Sequence, residues 1–383
     1  MNTAQIEIQM IAALTAAACA LPGVFLVLRR MSLVSDAISH AILPGIVVAF
    51  FITGSLASPL LVVAAALTGV LTVFLSELLN RTRLVQEDAA IGLVFPFLFS
   101  IGVILISRGA GNVHLDTDAV LLGEIAFAPF ERVILGGWDI GPQSAYVMGA
   151  ILILNAAFII LFFKELKVST FDAGLAASLG FAPAFIHYAL MALVSITAVG
   201  AFDAVGSVLV VALMIAPPSA AYLLTDDLSR MLGLSAAIGI AAAVGGFWLA
   251  NLLDASIAGS MATICGALFG LAFLFAPQRG LLAQMLRRAE QRWEFAQMTL
   301  AIHLFNHEGM PEAGVESMES HLGEHLRWNP DFAAHVVRRS ERGRYIYRKE
   351  GRLFLTDNGR DLARRGLSII GIPQKNEGMT PLY

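Results

Sequence analysis

Charge is scarce in this sequence. Only 14% of its 383 residues are charged and 57% are hydrophobic, with a mean hydropathy of +0.74. An ordinary soluble domain carries about 25% charged residues, so a single soluble globule is excluded and a polytopic membrane protein is expected. Cysteine is scarcer still. Cys19 and Cys265 both fall in apolar runs, which excludes a disulfide framework and predicts two reduced, buried thiols. No G-x-x-x-x-G-K-[ST] motif occurs, so the chain carries no ATP-binding P-loop of its own. The N-terminus also lacks a basic region followed by an A-x-A cleavage site, and its first apolar run is therefore read as a retained span.

The charge that is present is unevenly placed. Residues 1–286 hold 26 charged side chains and the 97 residues after them hold 28, which predicts a membrane domain over 1–286 and a soluble domain over 287–370, with 371–383 as a flexible tail. Spanning the hydrocarbon core takes about 20 apolar residues. On that ruler spans fall near 8–28, 36–53, 59–79, 88–107, 144–163, 185–202, 204–224, 231–253 and 257–276. The sixth and seventh share a 40-residue block broken only by "GAFDAVG", so eight or nine transmembrane helices are expected.

Lys and Arg mark one side. Arg29, Arg30, Arg81, Arg83, Lys164, Lys167, Arg230, Arg279, Arg287 and Arg288 share a face if the spans alternate, and that face is expected to be cytoplasmic together with the C-terminal domain. The net acidic 108–143 segment then lies outside. Its His114, Asp116 and Asp118 are candidates for outer-loop cation capture, or simply solvated loop residues.

A charged side chain inside a membrane costs at least about 2.5–3.5 kcal/mol on insertion scales, so each one needs a reason. Asp36 and His40 stand four apart, on one helix face, and a carboxylate with an imidazole can ligate a first-row divalent cation. The bland alternative is that Asp36 complements the helix dipole while His40 bonds a neighbouring helix. Two ligands do not complete a site, and a two-fold dimer would supply the second pair. Ser32 and Ser35 are candidate helix caps. Glu77 is read as a surface pair with Arg81, and His187 as an interfacial residue. In "KELKVSTFDAGLAASLGFAPAF", Asp172 can cap a short helix over 173–179, either a simple connector or a docking element for a protein partner.

Beyond residue 287 the pattern changes. "WEFAQMTLAIHLFNHEG" and "NPDFAAHVVRRSERG" have helical period, "RYIYRKEGRLFLT" alternates as a hairpin, and "TDNGRDLARRG" opens a last helix. Helix, helix, two-stranded wing is a winged-helix-like α+β arrangement, with Arg338, Arg339, Arg342, Arg344, Arg348, Lys349 and Arg352 on its second helix and wing. With 15 basic and 13 acidic residues the tail is nearly balanced, which favours docking or regulation over nucleic acid. His303, His307, His321, His325 and His335 add metal sensing as a further option.

Four stretches together resemble the membrane permease subunits of bacterial manganese/zinc/iron ABC importers. They are "LRRMSLVSDAISHAILPGIVVAF", "EDAAIGLVFPFLFSIGVILIS", "KELKVSTFDAGLAASLGF" and "AVGSVLVVALMIAPPSAAYLL", and the likeness covers about residues 8–277. The resemblance implies a multi-pass permease of the bacterial inner membrane, surrounded by lipid, that is not itself an enzyme. It implies Asp36 and His40 as the metal pair, and Phe171, Asp172, Ala173, Ala176, Leu179 and Gly180 as the coupling helix for a separate ATPase subunit. Further implied partners are a periplasmic metal-binding protein and a second permease copy or paralogue. The metal, manganese first and zinc or iron close behind, is transported substrate; no permanent cofactor is implied. The tail, above all "RLFLTDNGRDLARR", is similar to metal-responsive winged-helix repressors. A membrane-tethered metal sensor and an ATP-independent secondary transporter stand as alternatives.

Overall fold

The computed structural model describes residues 2–54, 58–109, 125–135 and 138–370. The chain divides into two compact units, Met1–Leu281 and Leu282–Tyr383. The expected flexible end, 371–383, lies outside the described residues.

In the first unit nine helical segments among the described residues are long and apolar enough to cross a membrane. They are built from α1 (Thr3–Leu28), the pair α2 (Ser32–Ala41) and α3 (Leu43–Thr53), α4 (Pro59–Arg81), α5 (Glu87–Gly109), α6 (Gln143–Leu161), α9 (Pro183–Val205), α10 (Ser207–Leu224), α11 (Leu228–Leu253) and α12 (Ile257–Phe275). Two short helices, α7 (Phe163–Phe171) and α8 (Ala173–Ser178), join α6 to α9. The ambiguous block resolves into α9 and α10, divided at Gly206, whose φ of +78° ends one helix and starts the next. The acidic segment is not wholly irregular. It contains an antiparallel hairpin, β1 (Arg132–Leu135) with β2 (Trp138–Pro142), a departure from the all-α expectation for this part.

Helix α1 is the hub and packs against α6, α9, α10 and α11. Of its most apolar stretch 72% is buried, against 22% for α12. Small residues make this possible: Ala16 to Ala20, Cys19 included, are all buried and let neighbours approach closely. Pro22 interrupts the helix, and a proline nitrogen cannot pair with the carbonyl four residues earlier, here that of Ala18. Asn155 supplies the missing donor. Its Nδ2 donates to Ala18 O at 2.9 Å and to Thr197 Oγ1 at 2.9 Å, so the freed carbonyl is satisfied away from water.

The second unit contains α13 (Leu281–His307), α14 (Ala313–Glu316), α15 (Leu322–His325), α16 (Pro330–Arg342), a hairpin of β3 (Ile346–Lys349) with β4 (Arg352–Leu355), and α17 (Asp357–Ile370). Its core uses helical spacing on α13 (Ala296, Leu300, Leu304) and on α16 (Ala333, Val336, Val337), and strand alternation on β4 (Leu353, Leu355). Asn329 caps α16 through the Asp331 N–H at 3.2 Å, and Thr356 caps α17 through the Gly359 N–H at 3.1 Å. Glu350 and Gly351, at φ 51° and 76°, make the two-residue turn that right-twisted strands favour.

Candidate functional site

Asp36 and His40 lie on α2, which ends at Ala41 because Pro44 follows. The missing proline N–H leaves the His40 carbonyl without its helical donor, and the chain restarts as α3 after Ile42. Asp36 is the fifth residue of α2, past the first turn, so dipole complementation does not account for it. The expected serine caps are also absent: the residue before α2 is Met31, and Ser35 Oγ instead donates to Met214 Sδ at 3.1 Å. That bond, with Val34, Ala37, Ile38 and Ala41, forms the buried side of α2. Asp36 and His40 sit on the other side. His40 Nε2 lies 3.6 Å from Asp36 Oδ1, beyond hydrogen-bond range, with the side chains 32% and 48% exposed and the rings of Phe95 and Phe99 6.1 and 6.4 Å from the imidazole. The pair offers one oxygen and one nitrogen, near each other, unbonded and open on one flank.

Close approach of α3 to α4 holds this region. A Cβ on Gly45 would lie 2.1 Å from Thr68 Oγ1 and 2.6 Å from Ala64 O, so only glycine fits there.

The segment from Phe171 to Gly180 is a compact capped helix. Asp172 adopts an extended φ of −151° and its Oδ1 accepts from the Leu175 N–H at 2.9 Å. At the other end Gly180 takes φ +85°, with its N–H on Ala177 O at 3.1 Å and that of Phe181 on Ala176 O at 3.0 Å, a Schellman closure. Ala173 opens the helix and Ala176 is its buried residue, while Phe171, Leu175 and Leu179 are 66%, 49% and 58% exposed. Leu175 was not singled out from sequence, although its four-residue spacing from Leu179 was the available signal.

Just before this helix, Arg29 reaches across. It donates to Ser169 Oγ and Thr170 Oγ1, both at 3.2 Å, and its Nη1 lies 3.0 Å from His187 Nδ1. Burial pulls its guanidinium below its ordinary value. Arginine only donates, so His187 Nδ1 accepts and the ring proton sits on Nε2, 2.7 Å from Glu77 Oε1. Tyr188 Oη donates to the other Glu77 oxygen at 2.8 Å. Glu77 is thus held by α9, not by a surface pairing with Arg81, and His187 is an interhelical link, because α9 packs directly along α4.

His114, Asp116 and Asp118 lie outside the described residues. Nearby, Arg132 bonds Asp139 and, at 3.2 Å, Glu7, which ties the hairpin to α1; these carboxylates, Glu7 first, raise its pKa. In the second unit the basic cluster is partly neutralised. Arg348 pairs with Glu319 at 3.0 Å and Glu341 at 3.2 Å, and Arg339 stacks 5.9 Å over Trp293.

The model of the ABC 3 transport family matches residues 5–276. The chain belongs to the ABC 3 transport family. Within this family it is 50% identical over 363 residues to the zinc transport system membrane protein TroD of Treponema pallidum, covering 95% of this chain and 99% of that protein. It is 48% identical over 283 residues to the manganese transport system membrane protein MntD of Bacillus subtilis, covering 74% and 96%. The first alignment runs into the charged tail, whereas the second has the length of the membrane unit alone. The fold is also similar to PsaBC from Streptococcus pneumoniae in complex with Fab, with a TM-score of 0.61, 27% identity, and coverage of 73% of this chain and 94% of that one. This family membership covers the four motifs quoted from the sequence and makes the chain a multi-pass membrane protein of permease type.

Proposed function

We propose that this chain is the membrane subunit of an ABC importer that moves a first-row divalent metal, manganese, zinc or iron, across the bacterial inner membrane. The observation that carries the reading is the placement of Asp36 and His40, 3.6 Å apart and open on one flank of a broken helix. A carboxylate and an imidazole suit all three metals, and a pair this incomplete binds weakly enough to release its ion. The Asp36 and His40 of a second copy, or of a paralogue, complete the coordination at the two-fold axis. The relatives named for zinc and for manganese support the cargo class and leave its members equivalent.

Energy comes from a separate ATPase subunit that docks on Phe171 to Gly180, where Phe171, Leu175 and Leu179 present apolar contacts on a rigidly capped helix. Displacement of this helix is passed by Ser169 and Thr170 to Arg29 and on to His187 and Glu77, so that α1, α4 and α9 move with it. A periplasmic binding protein delivers metal from the opposite face, where His114, Asp116 and Asp118 assist capture. The second unit is cytoplasmic and winged-helix-like. Its near-neutral balance and paired arginines favour a regulatory role over binding nucleic acid.

The test is uptake of radioactive manganese or zinc by proteoliposomes that contain the permease and its ATPase. Asp36→Ala or His40→Ala abolishes ATP-dependent uptake while assembly, read by size-exclusion chromatography, stays intact. Normal uptake by both variants overturns the ligand assignment, and uptake without the ATPase overturns the ABC mechanism in favour of secondary transport.

A further inference from the structure

Four histidines of the second unit converge on one glutamate. His303 and His307 stand one turn apart near the end of α13, Glu316 closes α14, His321 immediately precedes α15 and His325 ends it. Glu316 and His303 are only 7% and 8% exposed. The glutamate faces both ways: His303 Nε2 lies 3.5 Å from its Oε2 and 3.2 Å from its backbone carbonyl oxygen, and His325 Nε2 lies 3.3 Å from its Oε1. The ligand atoms of His303, His307 and Glu316 fall within 4.8 Å of one another, and so do those of Glu316, His321 and His325. Ring centroids are 4.9 Å apart for His303 and His307 and 5.5 Å for His321 and His325.

These distances fit a metal better than they fit ion pairs. A charge-assisted N–H to carboxylate bond is about 2.7–2.9 Å long. Zinc bonds of about 2.0–2.1 Å in a tetrahedron hold neighbouring ligand atoms about 3.3 Å apart, close to the two separations observed. Glu316 Oε2 accepts no hydrogen bond and His307 Nδ1 has no partner, although both atoms are buried. Buried polar atoms left without partners call for an explanation, and a bound ion supplies one.

We propose that Glu316, His303, His307, His321 and His325 form a binding site for a zinc-class divalent cation in the C-terminal unit, with Glu316 the ligand shared by both histidine pairs. The nitrogen-rich set selects zinc, cobalt or nickel over the harder manganese and magnesium. Binding ties the end of α13 to α14 and α15. The site rests on the tail's own residues, beyond the transport reading, and its occupancy is measurable without transport.

The experiment uses the full chain in detergent with Asp36→Ala and His40→Ala, so that the membrane pair contributes no ligand, dialysed against zinc chloride and read by mass spectrometry for bound zinc. At least one zinc per chain is retained. Glu316→Gln and His325→Ala each weaken binding at least tenfold, while His335→Ala leaves it unchanged. His325 is 48% exposed, so its replacement leaves the fold intact by circular dichroism even if Glu316→Gln does not. No retained zinc, or zinc bound as tightly in His325→Ala as in the parent, overturns the site.

Discussion

Two carboxylate–histidine pairs among the described residues of the membrane unit are chemically alike and physically opposite. Glu77 and His187 are 2.7 Å apart, 28% and 16% exposed, and locked by Arg29 and Tyr188. Asp36 and His40 are 3.6 Å apart, 48% and 32% exposed, and unbonded to each other. A group whose bonding capacity is already used has little left for an ion, so distance and exposure separate the structural pair from the candidate ligand pair. Glu77→Gln therefore lowers the maximal uptake rate and the melting temperature while leaving the KM for metal unchanged; a raised KM with an unchanged rate would instead make Glu77 a ligand. Asn155 closes the break that Pro22 makes in α1. Asn155→Leu leaves the Ala18 carbonyl unsatisfied and costs about 1–3 kcal/mol, read as a lower melting temperature in detergent.

At the scale of elements, broken helices and caps decide position. The break between α2 and α3 was written in "HAILPG", since proline bars a continuous ladder, but the span looked like one apolar run by hydropathy. Gly45→Ala drives a methyl into Thr68 and the Ala64 carbonyl, and the separation of α3 from α4 that follows costs about 1–3 kcal/mol and reduces uptake. The short α8 depends on its ends. Asp172→Ala removes the cap, a loss of about 1 kcal/mol, and lowers the yield of co-purified ATPase. Leu175→Glu keeps the helix and places a charge on its exposed face, so it too reduces ATPase co-purification; undiminished complex in both variants would remove α8 from the interface. The cap was legible as "FDAG" in the sequence, whereas which leucines stay exposed was not.

For the whole molecule, the division into two units has a direct consequence. A relative of membrane-unit length alone, MntD of Bacillus subtilis, aligns over 96% of its length. Removal of residues 282–383 therefore leaves at least partial uptake in a metal-rescue assay, and complete loss would make the tail part of the transport machinery. Sequence by itself determined the membrane class, the places of the spans and the change in charge density near residue 287, and it marked the two long tail helices, the hairpin and the last helix but not α14 and α15. Hydropathy, charge density and turn residues are local properties that act within one or a few turns. Only the tertiary structure decided which partner each polar group met: Asn155 with a carbonyl in α1, Glu77 with His187, and four histidines with Glu316. Those contacts join residues 5 to 137 positions apart, and spacing along one chain carries no record of which helices pack together.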